Sequence, residues 1–223
     1  HQQPTDILYC EKSVKPAYGE AVSKVVIVNT DILPFSSLDE VVGIRLVGEH
    51  NLINCAFVYE IAKTFDINEQ NFISALQSYI PLRHRLEFIG KKNDVDYYDD
   101  SISTTAESTI NAIKSIPNLH TILLGGMERG INYDKLVDFL VESCVPNIIC
   151  MYESGKRIYE TLEKQSKDSV IIYCKDLYKA TETAQKTTPP ETACLLSPAS
   201  ASYGDFTNFA ERGDVFRRIV FGE

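Results

Sequence analysis

Three short stretches hold most of the residues that can do chemistry. Asp99-Asp100-Ser101-Ile102-Ser103-Thr104-Thr105 offers carboxylates and hydroxyls, a set that suits ribose hydroxyls, a metal ion or a cationic amine. Gly125-Gly126-Met127-Glu128-Arg129-Gly130 offers tight glycines and a guanidinium, which can grip a carboxylate or phosphate with two parallel bonds. Ser197-Pro198-Ala199-Ser200-Ala201-Ser202-Tyr203-Gly204-Asp205-Phe206 offers hydroxyls just before a helix start, where free N–H groups attract an anion. Each stretch also has a plainer explanation. The Asp-Ser-x-Ser-Thr run and the Ser202–Asp205 pair can be helix caps. Gly125-Gly126 can be only a turn. Phe206, Phe209, Phe216 and Val220 recur at helical spacing and read as a core stripe.

Other chemistries lack their signatures. Gly90-Lys91-Lys92 and Gly155-Lys156-Arg157 have no upstream glycine at phosphate-loop spacing, and neither GxSxG nor HExxH occurs, so nucleophilic and zinc hydrolases are unsupported. GxGxxG is absent too, which counts against a dinucleotide binder. The six cysteines, Cys10, Cys55, Cys144, Cys150, Cys174 and Cys194, form no CxxC and no cluster with histidine. They read as buried thiols of a reducing compartment. Lys+Arg is 22 against Asp+Glu 31, a net charge of −9, which argues against nucleic-acid or anionic-membrane partners. No apolar run approaches the roughly 20 residues of a membrane span. His1-Gln2-Gln3-Pro4 does not look like a signal peptide.

The elements that position these stretches follow from hydrophobic pattern. From about residue 82, short apolar runs alternate with amphipathic segments. Strands are expected at 95–99, 121–125, 147–151, 170–174 and 193–196, and helices at about 106–116, 133–144, 155–164, 177–186 and 206–221. That alternation predicts a parallel sheet covered on both faces, an α/β doubly wound domain. In such sheets ligands bind beyond the carboxyl ends of the strands, where all three polar stretches fall. The first 80 residues are irregular. Strands are expected at 24–28 and 41–48 and helices at 51–65 and 69–78, with a break at Pro81. Two separately packed units are therefore expected, 1–81 and 82–223. The 223 residues suffice for both to bury a core.

In order along the chain, further segments make a pattern: Gly48-Glu49-His50-Asn51-Leu52-Ile53-Asn54, Leu82-Arg83-His84-Arg85-Leu86-Glu87, Asp100-Ser101 with Thr104, Leu124-Gly125-Gly126, Leu196 to Ser202, and Phe206 to Phe209 closing in Arg212-Gly213-Asp214-Val215-Phe216. In this order they resemble the Mur ligase family of peptidoglycan synthesis, above all its glutamate-adding branch, from about Gly48 to the end. The resemblance implies a Rossmann-like, doubly wound, mainly parallel sheet as the family's carboxy-terminal, glutamate-binding domain, preceded by the tail of its central ATPase domain. It implies an ATP-dependent ligase that adds glutamate to UDP-N-acetylmuramoyl-L-alanine through an acyl phosphate, in a bacterial cytoplasm; the oligomeric state stays open, with a monomer expected. Asn51 and Asn54 would face the adenine. Arg85 would reach the ATP phosphates, with His84 positioning it, and Asp100 would hold the nucleotide. Thr104, Arg129, Ser202, Tyr203 and Phe209 would line the amino-acid pocket.

The chain departs from the family pattern in ways that matter. Ile102 stands where a lysine is common, and Arg129 replaces a second lysine, so the glutamate isomer stays open. The family's phosphate loop, magnesium ligands and carbamylated lysine are not in these residues. No residue here is expected to bind the magnesium that accompanies ATP. The chain reads as a fragment of a larger ligase, inactive alone. The alternatives are an L-glutamate-adding relative, a folylpolyglutamate-synthase-like ligase, and a non-catalytic α/β nucleotide-binding module.

Overall fold

A computed structural model describes residues 3–12, 14, 23–143, 145–165 and 168–222. The chain divides into two compact units, His1–Ile80 and Pro81–Glu223.

In the first unit two parallel strands, β1 (Ile7–Glu11) and β2 (Lys24–Val28), accompany two helices, α1 (His50–Thr64) and α2 (Glu69–Ser78). Asn68 caps α2 by accepting the Asn71 N–H at 2.9 Å. Val28, Phe35, Leu38, Ala56, Tyr59 and Phe72 share one core. The expected strand at 41–48 does not form. Gly43 and Gly48 turn the chain at φ +85° and +89°, and the Val41 and Ile44 N–H groups close tight turns onto Leu38 and Val41. Val41 enters the core while Val42 is exposed, so this apolar run is folded on itself rather than extended.

The second unit is a six-stranded sheet in the order β3-β4-β8-β5-β6-β7. Its strands are β3 (Glu87–Lys92), β4 (Val95–Asp99), β5 (Leu119–Leu124), β6 (Asn147–Met151), β7 (Val170–Cys174) and β8 (Ala193–Leu196). All pairs are parallel except the β3–β4 hairpin. Every residue of β6 and β8 is buried, as continuous apolar runs require when helices cover both faces. Alternate residues feed opposite cores. Ile122, Ile148 and Leu195 meet Ala112 of α3 (Ala106–Ser115), Leu136 of α4 (Asp134–Glu142) and Ile158 of α5 (Tyr152–Gln165). Leu123, Ile149 and Leu196 meet Leu177 of α6 (Leu177–Thr187) and Phe216 of α7 (Phe209–Phe221). The α/β, mainly parallel expectation holds.

Three local details were not read from the sequence. β3 is an extra antiparallel edge strand, closed by Asn93 and Asp94, both at positive φ, as a tight hairpin turn demands. Helix α7 starts at Phe209 rather than 206, because Asn208 accepts the Glu211 N–H at 2.9 Å and Phe206 closes a preceding turn onto Ser202. Helix α4 ends at Glu142. Cys10, Cys55, Cys150, Cys174 and Cys194 are buried free thiols. Cys144 and the residues His1 and Gln2 of the leader reading lie outside the described residues. Among the described residues no helix is long and apolar enough to cross a membrane.

Candidate active site

The strand order makes β4, β8 and β5 neighbours, so the three polar loops leave one sheet edge side by side. The loop after β8 is stitched to both others. The Asp100 N–H donates to Leu196 O at 2.8 Å, Gly125 N–H to Pro198 O at 2.8 Å, and Met127 N–H to Ala201 O at 2.9 Å. Thr104, Arg129, Ser202, Tyr203 and Phe209 all lie in or just after these loops. Ser202 is buried, Thr104 and Phe209 are half-buried, and Arg129 and Tyr203 are exposed.

The glycine turn owes its residues to packing. Gly125 sits at φ +111°, and a Cβ there would fall 2.0 Å from Met151 O. Gly126 donates its N–H to Ser154 Oγ at 2.8 Å, and that hydroxyl is in turn 2.8 Å from Ser200 Oγ. Further along, Glu128 accepts from Arg157 Nη1 and from the Gly130 N–H, both at 2.5 Å. These bonds anchor the loop around Arg129, whose side chain has no hydrogen bond or ion pair among the described residues.

His84 is buried and sits at φ +63°. Its Nδ1 is 2.7 Å from Asp99 Oδ2, and its N–H donates to Glu87 Oε2 at 2.7 Å. The Asp99 hydrogen bond, against the cost of burial, raises the imidazole pKa above its ordinary 6.5. The ring of Phe209 meets it edge-on with centroids 6.2 Å apart. Ligand atoms of His84, Glu87 and Asp99 lie within 4.8 Å of one another; the His84 ring pairs with Asp99 and its backbone N–H with Glu87. Arg85, the next residue, is exposed and has no side-chain partner among the described residues. That leaves its guanidinium unpaired among the described residues.

Asp100 faces inward. Oδ1 accepts from the Leu86 N–H at 3.2 Å and Oδ2 from Ser197 Oγ at 2.7 Å. A nucleotide contact there would compete with one of these bonds. Desolvation pushes the carboxyl up to about 6, against the hydrogen bonds that lower it. Folded Asp100 thus binds a proton more readily than the unfolded chain does, and its charged form costs stability above that value. As pH falls from roughly 7 to 4 the wild type should gain up to about 3 kcal/mol that Asp100→Asn does not. His84 acts in the same direction at higher pH: its contribution is complete below 6.5 and is lost as pH rises through its raised pKa. Urea unfolding of both proteins across this range reads the difference. Parallel stability curves would show that Asp100 is not burying charge.

Sequence reading passed over Arg212 as a functional residue, although it lies inside the terminal motif. Arg212 is fully buried and touches two of the three loops through Ser101 and Ser200. The available signal was Gly213 beside it, a glycine inside a helix, which marks a close approach. A Cβ on Gly213 would lie 2.2 Å from Asp99 Oδ2 and 2.3 Å from His84 Nδ1.

In the first unit, Asn51 and Asn54 lie one turn apart on α1. Asn51 Nδ2 donates to Val47 O at 2.7 Å, and Asn54 Nδ2 to Asn51 Oδ1 at 3.0 Å. The pair is pre-ordered, with Asn54 exposed.

No family model matches the chain. Solved structures match its fold. MurF from Acinetobacter baumannii superposes with a TM-score of 0.67 at 12% identity, covering 100% of this chain and 53% of that one. A Mycobacterium tuberculosis folylpolyglutamate synthase complexed with ADP and AMPPCP gives 0.64 at 11%, covering 99% and 56%. Curated sequences match more closely in sequence: 36% identity over 179 residues in Novosphingobium aromaticivorans, covering 78% of this chain and 38% of the relative. The figure is 31% over 186 residues in Chlamydia caviae (83% and 43%). In Lachnospira eligens it is 27% over 215 residues (96% and 47%). The chain is a relative of the Mur ligases. Those three sequences share one name, UDP-N-acetylmuramoylalanine–D-glutamate ligase, and the chain spans less than half the length of each.

Proposed function

We propose that these residues act as part of an ATP-dependent ligase that joins D-glutamate to UDP-N-acetylmuramoyl-L-alanine. Residues 1–81 would belong to its central domain and 82–223 to its glutamate-binding domain. The observation that carries the reading is the meeting of the β4, β5 and β8 loops at one sheet edge, each with the residues the family motifs assign to the pocket. The shared name of the curated relatives supports D-glutamate over its isomer. Soluble, nucleotide-linked substrates are in keeping with a cytoplasmic site of action.

A carboxylate is a poor electrophile, and ATP with magnesium supplies the phosphoryl group that activates it. The chain's own residues then have two tasks. Arg85, exposed and unpaired, would neutralise phosphate charge, with His84 fixing the backbone beside it. Asn51 and Asn54 would meet the adenine. On the amino-acid side glutamate needs donors for two carboxylates while its amine stays free to attack. Arg129 supplies a guanidinium, Thr104 and Ser202 supply hydroxyls, and Phe209 and Tyr203 would wall the pocket.

The test is steady-state kinetics of the complete ligase with each substrate varied. Loss of a charge-assisted contact should raise the glutamate KM of Arg129→Ala by roughly 10- to 150-fold and leave the ATP KM nearly unchanged. Arg85→Ala should instead lower kcat. A glutamate KM within about twofold of wild type in Arg129→Ala would remove this loop from the pocket.

A further inference from the structure

Arg212 is the largest fully buried side chain among the described residues. It lies in the first turns of α7 and bonds to no carboxylate. Nε donates to Ser101 Oγ at 2.9 Å, and Nη2 to Ser101 O at 2.8 Å and to Ser200 O at 3.0 Å. The Ser101 hydroxyl in turn donates a hydrogen bond to Phe209 O at 2.8 Å. Nη1 is buried without a partner and lies beside the glycine turn, where a Cβ on Gly126 would be 2.9 Å from it. The guanidinium is therefore wedged among the loops after β4, β8 and β5, and is directly bonded to the first two.

We propose that Arg212 is a positioning residue for the amino-acid pocket, fixing the spacing between the loop that carries Thr104 and the loop that carries Ser202. The proposal rests on the pocket reading above. Ser197 and Asp100 already tie these loops at the sheet edge. Arg212 ties them further out, at Ser101 and Ser200, where each chain leads into its pocket residue. One planar fork reaches both loops at once, which a single ammonium on a flexible stem does not. No carboxylate hydrogen-bonds the guanidinium, and the Asp99 carboxylate offsets its charge in part through space. Burial lowers the guanidinium pKa to about 10, so it stays cationic at neutral pH. A buried cation with only neutral acceptors costs folding free energy.

The test uses the 223-residue chain and two variants, Arg212→Lys and Ser101→Ala. Amide hydrogen exchange is followed at Ser103, Met127 and Phe206, whose N–H groups bond within or between the loops, with Leu123 and Ile149 as sheet references. Glutamate binding is followed by chemical-shift titration with each isomer. In Arg212→Lys, loop amides should exchange about tenfold faster or more while the references hold, and glutamate should bind about tenfold more weakly. Ser101→Ala, which deletes one hydroxyl and keeps the charge, should shift both readouts the same way by less. It carries the test if the lysine variant does not fold. Unchanged exchange in both loops overturns the proposal. So does faster exchange with glutamate affinity within about twofold of wild type, which would make Arg212 merely structural. A wild type that binds neither isomer overturns the pocket reading itself and is seen before any variant is made.

Discussion

Gly213→Ala should cost the second unit about 3 kcal/mol or more. In an ordinary helix interior the change is favourable by about 1 kcal/mol, because alanine is the better helix former. Here the new methyl would fall 2.2 Å from Asp99 Oδ2 and 2.3 Å from His84 Nδ1. Either α7 lifts away from the sheet or the His84–Asp99 pair opens. Lifting α7 pulls Phe216 and Val220 from their core. Opening the pair strands a buried carboxylate and a buried imidazole. Both exceed what helix propensity returns. Urea unfolding measures the loss, and a variant as stable as wild type would mean that α7 does not press on the pair.

Gly125→Ala should be still more damaging, at about 4 kcal/mol or more. Its Cβ would meet main chain rather than flexible side chain: Met151 O at 2.0 Å and Gly155 Cα at 2.8 Å. Its φ of +111° also disfavours any side chain. Relief by moving the turn would break the Gly126–Ser154 and Met127–Ala201 bonds that align the loops. Gly130→Ala is the control. Gly130 has positive φ but open space around it, so strain alone applies, at about 1–2 kcal/mol. Equal losses in the two variants would show that crowding is not what reserves position 125 for glycine.

The sheet was legible because burial on both faces forces continuous apolar runs, and Asn147–Met151 and Ala193–Leu196 offer little else to read. The strand expected at 41–48 failed for the complementary reason. Its apolar residues match a strand, while Gly43 and Gly48 impose turns that composition alone understates. β3 was hidden because Phe88 is exposed and Gly90 interrupts the pattern. Loop chemistry and strand ends pointed to the three loops that the strand order brings side by side, while Thr104, Arg129 and Ser202 were singled out within them by the family resemblance. Arg212 stayed out of sight because a charged residue in a helix reads as solvent-facing. Only three-dimensional packing reveals that its acceptors, Ser101 and Ser200, arrive from distant strands. Asp100 was legible as a carboxylate at the right edge, but its inward hydrogen bonds were not.

The strand that joins the sheet is the last one made. β8 lies between β4 and β5, so until residues 193–196 leave the ribosome the strands of this sheet can pair only as two separate pieces, the β3–β4 hairpin and the β5-β6-β7 block. The loops after β4 and β5 gain their backbone anchors only then, the first from Leu196 of β8 and the second from Pro198 and Ala201 just after it. Completing this sheet takes one insertion between two strand edges, with long loop closures of the kind that slow folding and leave edges exposed meanwhile.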